Sequence, residues 1–230
     1  MSDYDDDYRQ PERSVQIAAG SAMLEGNLSI PQAARGIVLF AHGSGSSRFS
    51  RRNRFVAEQL NQAGLGTLLI DLLTRQEEMV DQRTAQYRFD VPMLAGRLVN
   101  AIDWLEREQE THELPIGLFG ASTGAGAALI AAAQRPQRVG AVVSRGGRPD
   151  LATDALPQVT APTLLIVGGE DDEVIELNRE AMAQMRTEVR LEIVPDATHL
   201  FEEPGTLEMV SDLARDWFLT KLGARMVGAR

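Results

Sequence analysis

The stretch of this chain best suited to covalent chemistry is Gly120-Ala-Ser122-Thr-Gly124. It fits the pattern G-x-S-x-G and lies between a strand-like run ending at Phe119 and a helical run beginning near Thr123. That setting is a nucleophile elbow, in which a sharp turn strains the serine backbone and lifts its hydroxyl above the edge of a sheet. The first turn of the following helix adds unpaired N–H groups and the positive end of a dipole, both suited to negative charge on an attacked carbonyl oxygen. A Gly-Ser turn that merely leads into a helix is the simpler alternative.

A serine at its ordinary pKa needs a base, and the chain offers three histidines and no cysteine. His112, in Glu-Thr-His-Glu-Leu-Pro, falls between a helix and a strand on the side of the sheet opposite Ser122 and reads as a surface residue. His42 follows a strand ending at Ala41 and reaches the correct edge. Because Gly43-Ser-Gly-Ser-Ser47 comes next, its setting suits an oxyanion loop better than a base. His199, in Pro195-Asp-Ala-Thr-His-Leu-Phe201 after the last predicted strand, is the base candidate. An orienting acid between serine and histidine in chain order would come from Gly168-Gly-Glu-Asp171-Asp-Glu-Val174. Asp171 is preferred to Asp172, with Glu170 and Glu173 behind, because Asp-x-x-Val turns the acid inward while Val174 packs beneath the loop. Asp150 and Asp196 are lesser alternatives that read as caps or turn residues.

These residues must be carried by elements that end on one edge. Ser14 to Ala19 and Ala22 to Ile30 read as a hairpin about Gly20, and apolar strand runs then alternate with helical patterns. The strands are expected at Gly36–Ala41, Gly66–Asp71, Pro115–Gly120, Val139–Ser144, Thr163–Val167 and Val189–Val194. Helices are expected at Arg54–Ala63, Val91–Glu108, Ala125–Gln134, Glu173–Met185 and Thr206–Leu222. Residues 73–90, rich in charge and weak in apolar pattern, form either a solvated helix or a loop over the site. The near-continuous apolar character of the strands implies a mostly parallel sheet with helices on both faces, hence an α/β fold.

Composition narrows the classes further. At 230 residues, 43% hydrophobic and 24% charged, the chain reads as one globular domain over residues 14–230 behind an acidic tail at 1–13. The net charge of −10 argues against nucleic acid as a partner. No apolar run approaches the roughly 20 residues that span a bilayer. The opening residues carry four aspartates where an export signal needs positive charge, so a cytoplasmic location is expected.

With these pieces in order, the chain resembles the α/β-hydrolase superfamily, and within it the dienelactone-hydrolase-like serine hydrolases, over about residues 15–222. The matching segments are His42-Gly-Ser-Gly45, Gly120-Ala-Ser-Thr-Gly124, Gly168-Gly-Glu-Asp171-Asp-Glu-Val174 and His199 in its loop. The resemblance implies an oxyanion hole built from the backbone N–H groups of Ser44 and Thr123, and a sheet of about seven or eight strands. It departs at the nucleophile: dienelactone hydrolases themselves use cysteine, which points away from dienelactone as the substrate.

The expected activity is acyl transfer from a small ester or thioester to water. In it Ser122 attacks, His199 moves the proton and Asp171 holds the imidazole, with no metal or organic cofactor. Arginines Arg48, Arg51, Arg52 and Arg54 follow the oxyanion loop, and Arg145 with Arg148 follows another strand. His42, Arg48, Arg145 and Arg148 are candidates for substrate binding, the arginines through an anionic group; the alternative is that they neutralise nearby acids. Phe49, Tyr87 and Phe89 are candidates for an acyl pocket, or plain packing. Other readings are a catalytically silent module that binds an anion, a peptidase or a perhydrolase.

Overall fold

The strand-forming runs assemble into one eight-stranded sheet in the computed structural model, which describes residues 12–228, with side chains through residue 223. Strands β1 (Arg13–Ala19) and β2 (Ala22–Ser29) form the expected hairpin, followed by β3 (Ile37–Ala41), β4 (Gly66–Ile70), β5 (Ile116–Ala121), β6 (Val139–Arg145), β7 (Thr163–Gly168) and β8 (Val189–Val194). Their spatial order is β1-β2-β4-β3-β5-β6-β7-β8. β2 runs antiparallel to both neighbours, and every pairing from β4 to β8 is parallel. The acidic tail expected at 1–13 lies outside the described residues except for Glu12 and Arg13, and Arg13 already opens β1.

Both faces of β3 to β7 are buried, which is why their sequences read as largely apolar runs, whereas the edge strand β8 alternates apolar with charged residues. Ile37, Leu39, Ile116, Leu118 and Val142 point into one core with helices α3 (Val91–Leu105) and α4 (Thr123–Gln134). Val38, Phe40, Phe119, Ala141 and Val143 point into the other, under α1 (Arg51–Gln62) and α6 (Thr206–Gly228). Phe40 and Phe119 meet across paired strands with ring centroids 4.9 Å apart.

Helix boundaries differ from the sequence expectation where caps decide them. α1 begins at Arg51 rather than Arg54, because the Ser50 side chain accepts the Asn53 N–H. In the ambiguous segment 73–90, α2 (Arg75–Thr84) starts from a capping box between Thr74 and Glu77. Arg97 of α3 then pairs with Glu77 and donates to the Leu72 carbonyl, tying this charged segment to the core. A 3-10 segment, Pro149–Gln158, kinks at Thr153 and has no counterpart in the sequence expectation. α5 (Asp172–Gln184) fills the last crossover.

Candidate active site

Parallel strands direct their C-terminal ends to one edge, and the loops following β3, β5, β6, β7 and β8 gather there. Ser122, between β5 and α4, has φ 50° and ψ −124°, a left-handed conformation that costs a non-glycine residue of order 1–3 kcal/mol. Its surroundings hold it there: its N–H donates to the Arg145 carbonyl at 3.3 Å, and its carbonyl accepts from Ala125 at 3.0 Å and Arg148 at 3.1 Å. The flanking glycines are required by close approach. A Cβ at Gly120 would collide with the backbone of Ala125, and one at Gly124 with the carbonyl oxygens of Ala41 and His42.

His199 Nδ1 lies 2.7 Å from Asp171 Oδ2. A carboxylate can only accept, so the proton belongs on Nδ1 and Nε2 is left as the basic nitrogen. Asp171 occupies the N-cap of α5 but makes no capping bond, leaving its carboxylate free to face the imidazole. Asp172 and Glu173 are exposed in the first turn of that helix, and Glu170 is exposed before it; of the four acids, Asp171 is the one that meets His199. Ser122 and His199 are joined through Arg145–Arg148. Ser122 bonds to residues 145 and 148, while Gly146 between them abuts His199, a Cβ placed there standing 3.6 Å from His199 Cε1.

Ser44 and Thr123 also come together across the chain. The Ser44 N–H donates to Thr123 Oγ1 at 3.1 Å, and the two hydroxyls are 3.0 Å apart. The Ser44 amide thus already has an acceptor, which an oxyanion would have to replace or share. Beside this loop opens a cavity of about 530 Å³ lined by His42, Ser46, Ser47, Phe49, Asp71 and Glu78. A smaller cleft adjoins it at Ser44, Arg88, Leu94 and Thr123. Of the aromatic candidates for an acyl pocket, Phe49 lines the larger cavity, Phe89 is 62% exposed and Tyr87 packs against the core.

Three candidates for substrate binding have other roles. His42 is buried; its Nε2 accepts the Leu72 N–H at 3.0 Å and its Nδ1 faces the Gly43 carbonyl at 2.9 Å. Burial lowers its pKa, so it stays a neutral brace between two backbone segments with no ring nitrogen left for substrate. Arg48 pairs with Asp71 and Glu25 and donates to Asn27 Oδ1 at 3.1 Å, which commits its guanidinium to the sheet edge. Arg148 makes a two-pronged pair with Asp150 at 2.8 and 2.7 Å, and that hydrogen bonding raises its pKa. For Arg48 and for the Nε2 of His42 the partners are distant in sequence, whereas Arg148 is taken by Asp150 only two residues on.

Arg145 is the exception. It is 8% exposed, and its Nε and Nη1 are buried without a hydrogen-bond partner. Burial, with repulsion from Arg52 added, lowers its pKa to about 10. Asn178, buried on α5 and reaching the 145–148 loop, escaped the sequence reading, although an asparagine on an apolar helical stripe was a signal that could have found it. Among the described residues no group of three or more His, Asp or Glu could hold a metal ion, and no helix is long and apolar enough to cross a membrane.

Comparison with known proteins agrees with this architecture. The crystal structure of a dienelactone hydrolase from Anabaena variabilis matches at 60% identity with TM-score 0.92, covering 93% of this chain and 99% of that one. Est1E from Butyrivibrio proteoclasticus shares the fold at TM-score 0.76 and 16% identity, over 91% of this chain and 98% of its own. A Mycobacterium tuberculosis protein named putative phosphoribosyl transferase is 57% identical over 211 residues, which is 92% of this chain but only 47% of that protein. The family model for dienelactone hydrolases matches residues 24–216, and the chain, an α/β hydrolase by fold, belongs to the dienelactone hydrolase family.

Proposed function

We propose that this chain is a serine hydrolase that cleaves a small carboxylic ester or thioester through an acyl-enzyme. The observation that carries this reading is the 2.7 Å bond from His199 to Asp171 on the edge where Ser122 stands in its strained turn. His199 Nε2 takes the Ser122 proton as Oγ attacks the carbonyl carbon, and returns it to the departing alcohol or thiol. Water repeats the sequence on the acyl-enzyme, releasing the acid and restoring Ser122. Asp171 stabilises the imidazolium formed in both halves. The amides of Thr123 and Ser44 receive the oxyanion, the latter by exchanging its bond to the Thr123 hydroxyl.

The substrate's anionic group, in this reading, meets Arg145, since Arg48 and Arg148 are committed to carboxylates of the chain. The transferase name borne by the mycobacterial relative suggests a second chemistry. We assign that transfer to the part of the longer protein outside the match, since the matched segment is only 47% of it and is the part that carries the hydrolase fold.

A fluorophosphonate probe tests the reading. It is expected to label the protein at Ser122, and Ser122→Ala is expected to lose both labelling and p-nitrophenyl ester hydrolysis, the latter by about 10⁴-fold or more. A wild-type protein that neither labels nor turns over would instead be a silent module that binds an anion. Turnover that survives in Ser122→Ala would remove the mechanism.

A further inference from the structure

Asn178 stands where its helix calls for an apolar side chain. With Val174, Ile175 and Ala181 it forms the buried stripe of α5, and it is fully buried. Asparagine is a mediocre helix former, and a buried amide is unfavourable unless hydrogen-bonded, so nothing in the packing of α5 selects it. Its Nδ2 makes two bonds, to the Val174 carbonyl one turn back at 2.7 Å and to the Gly147 carbonyl at 3.0 Å. Both partners are acceptors, which fixes the orientation of the amide. The second bond crosses to the loop after β6.

That loop touches two members of the candidate triad, Ser122 and His199. The Arg145 carbonyl accepts the Ser122 N–H, and the Arg148 N–H donates to the Ser122 carbonyl. Gly146 lies against His199. Asn178 joins Gly147, at the centre of this span, to the helix whose N-cap is Asp171. One side chain therefore links the acid-bearing helix to the backbone that holds the nucleophile in a left-handed conformation and abuts the base.

We propose that Asn178 is a positioning residue of the active site: through Gly147 it keeps the strained Ser122 turn in register with the Asp171–His199 pair. The proposal rests on the serine-hydrolase reading. A misplacement of about 1 Å between reacting groups costs on the order of a hundredfold in rate, so a single bond at this junction has leverage that its own strength would not suggest.

The test is Asn178→Leu, of similar volume and compatible with its apolar neighbours, assayed on p-nitrophenyl butyrate. The expected result is a fall in kcat of about ten- to hundredfold with KM changed less than about twofold, in a protein that melts no earlier than wild type. The imidazole 15N shifts of His199, readable among only three histidines, are expected to move as its bond to Asp171 loosens. A folded variant with unchanged kcat and unchanged His199 shifts overturns the proposal. Should Asn178→Leu not fold, Asn178→Ala, assayed well below its own melting temperature, carries the same expectations. If wild type turns over no ester and yet the His199 shifts respond to the substitution, the hydrolase reading fails while the positioning role stands.

Discussion

Two loops on the active edge, residues 42–50 after β3 and 145–148 after β6, look alike in sequence. Each is glycine-rich, each carries arginine, and each approaches Ser122. In the first, His42 gives both ring nitrogens to the backbone, and Arg48 is held by Asp71, Glu25 and Asn27. In the second, the backbone does the holding, bonding Ser122 on both sides, while Nε and Nη1 of Arg145 are buried with no acceptor among the described residues. The role of a polar residue at such an edge follows from its partners more than from its type or its distance from the nucleophile. A guanidinium already matched to carboxylates has little left for a ligand, whereas an unmatched one in a desolvated setting gains the most from an incoming anion.

The largest effect expected from this principle separates two adjacent acids. Asp171→Asn should lower kcat by about 10⁴, because an amide beside Nδ1 favours the wrong imidazole tautomer, as it does in serine proteases. Asp172→Asn, altering an exposed residue of the α5 first turn, should change kcat less than about threefold. Steady-state kinetics on one neutral ester decides between them, and a dead Asp172 variant would move the acid by one residue.

The next test sets the two loops against each other directly. Arg145→Met is expected to lower the ratio of kcat/KM for mono-p-nitrophenyl succinate over p-nitrophenyl butyrate by roughly ten- to hundredfold, the worth of a charge-assisted hydrogen bond. Arg48→Met, which leaves Asp71 and Glu25 unmatched, should instead lower unfolding free energy by about 1–3 kcal/mol in urea, with that ratio unmoved. Equal losses on both esters in the Arg145 variant would make it a structural arginine like Arg48.

The smallest effect concerns α2, beside the cavity. Burial alone would raise the pKa of Glu77, but bonds from Arg97 and Thr74 outweigh it and lower it to about 2. Its folded pKa lies below the ordinary 4.5, so the stabilisation is full above pH 4.5 and is lost as pH falls towards 2. Wild type is therefore expected to exceed Glu77→Gln by about 1 kcal/mol at pH 6 and to converge with it near pH 2, as read by urea unfolding at each pH. A gap that stays constant with pH would mean that the side chain contributes by packing rather than by charge.

Local signals made much of this legible before any coordinates. All eight strands were identified, the five central ones because a strand buried on both faces must be apolar throughout, and β1, β2 and β8 from β-branched and aliphatic residues between turn signals. Gly120-Ala-Ser-Thr-Gly124 announced its turn, since glycines so placed answer a steric need that any side chain would violate. The order Ser122, Asp171, His199 placed the three residues on one edge, for each follows a parallel strand. Thr74-x-x-Glu77 was a readable start for α2, but the charge around it concealed a helix whose anchor, Arg97, comes from another helix.

Partnership was not legible, and only the tertiary structure decided it. Which of four successive acids meets His199 depends on where α5 begins, a matter of one residue in the chain and of opposite directions in space. Arg48, Arg145 and Arg148 are equivalent by type and edge, yet the first is met by Glu25 of β2 and by Asp71 just after β4, the third by Asp150, and Nε and Nη1 of the second by no acceptor among the described residues. Chain order determines which edge a residue reaches, because strand direction is inherited from the pattern of elements. The neighbours it meets there are set by crossovers that bring together segments far apart in sequence, and hydrogen bonds and charges act only across the few ångströms that those crossovers close.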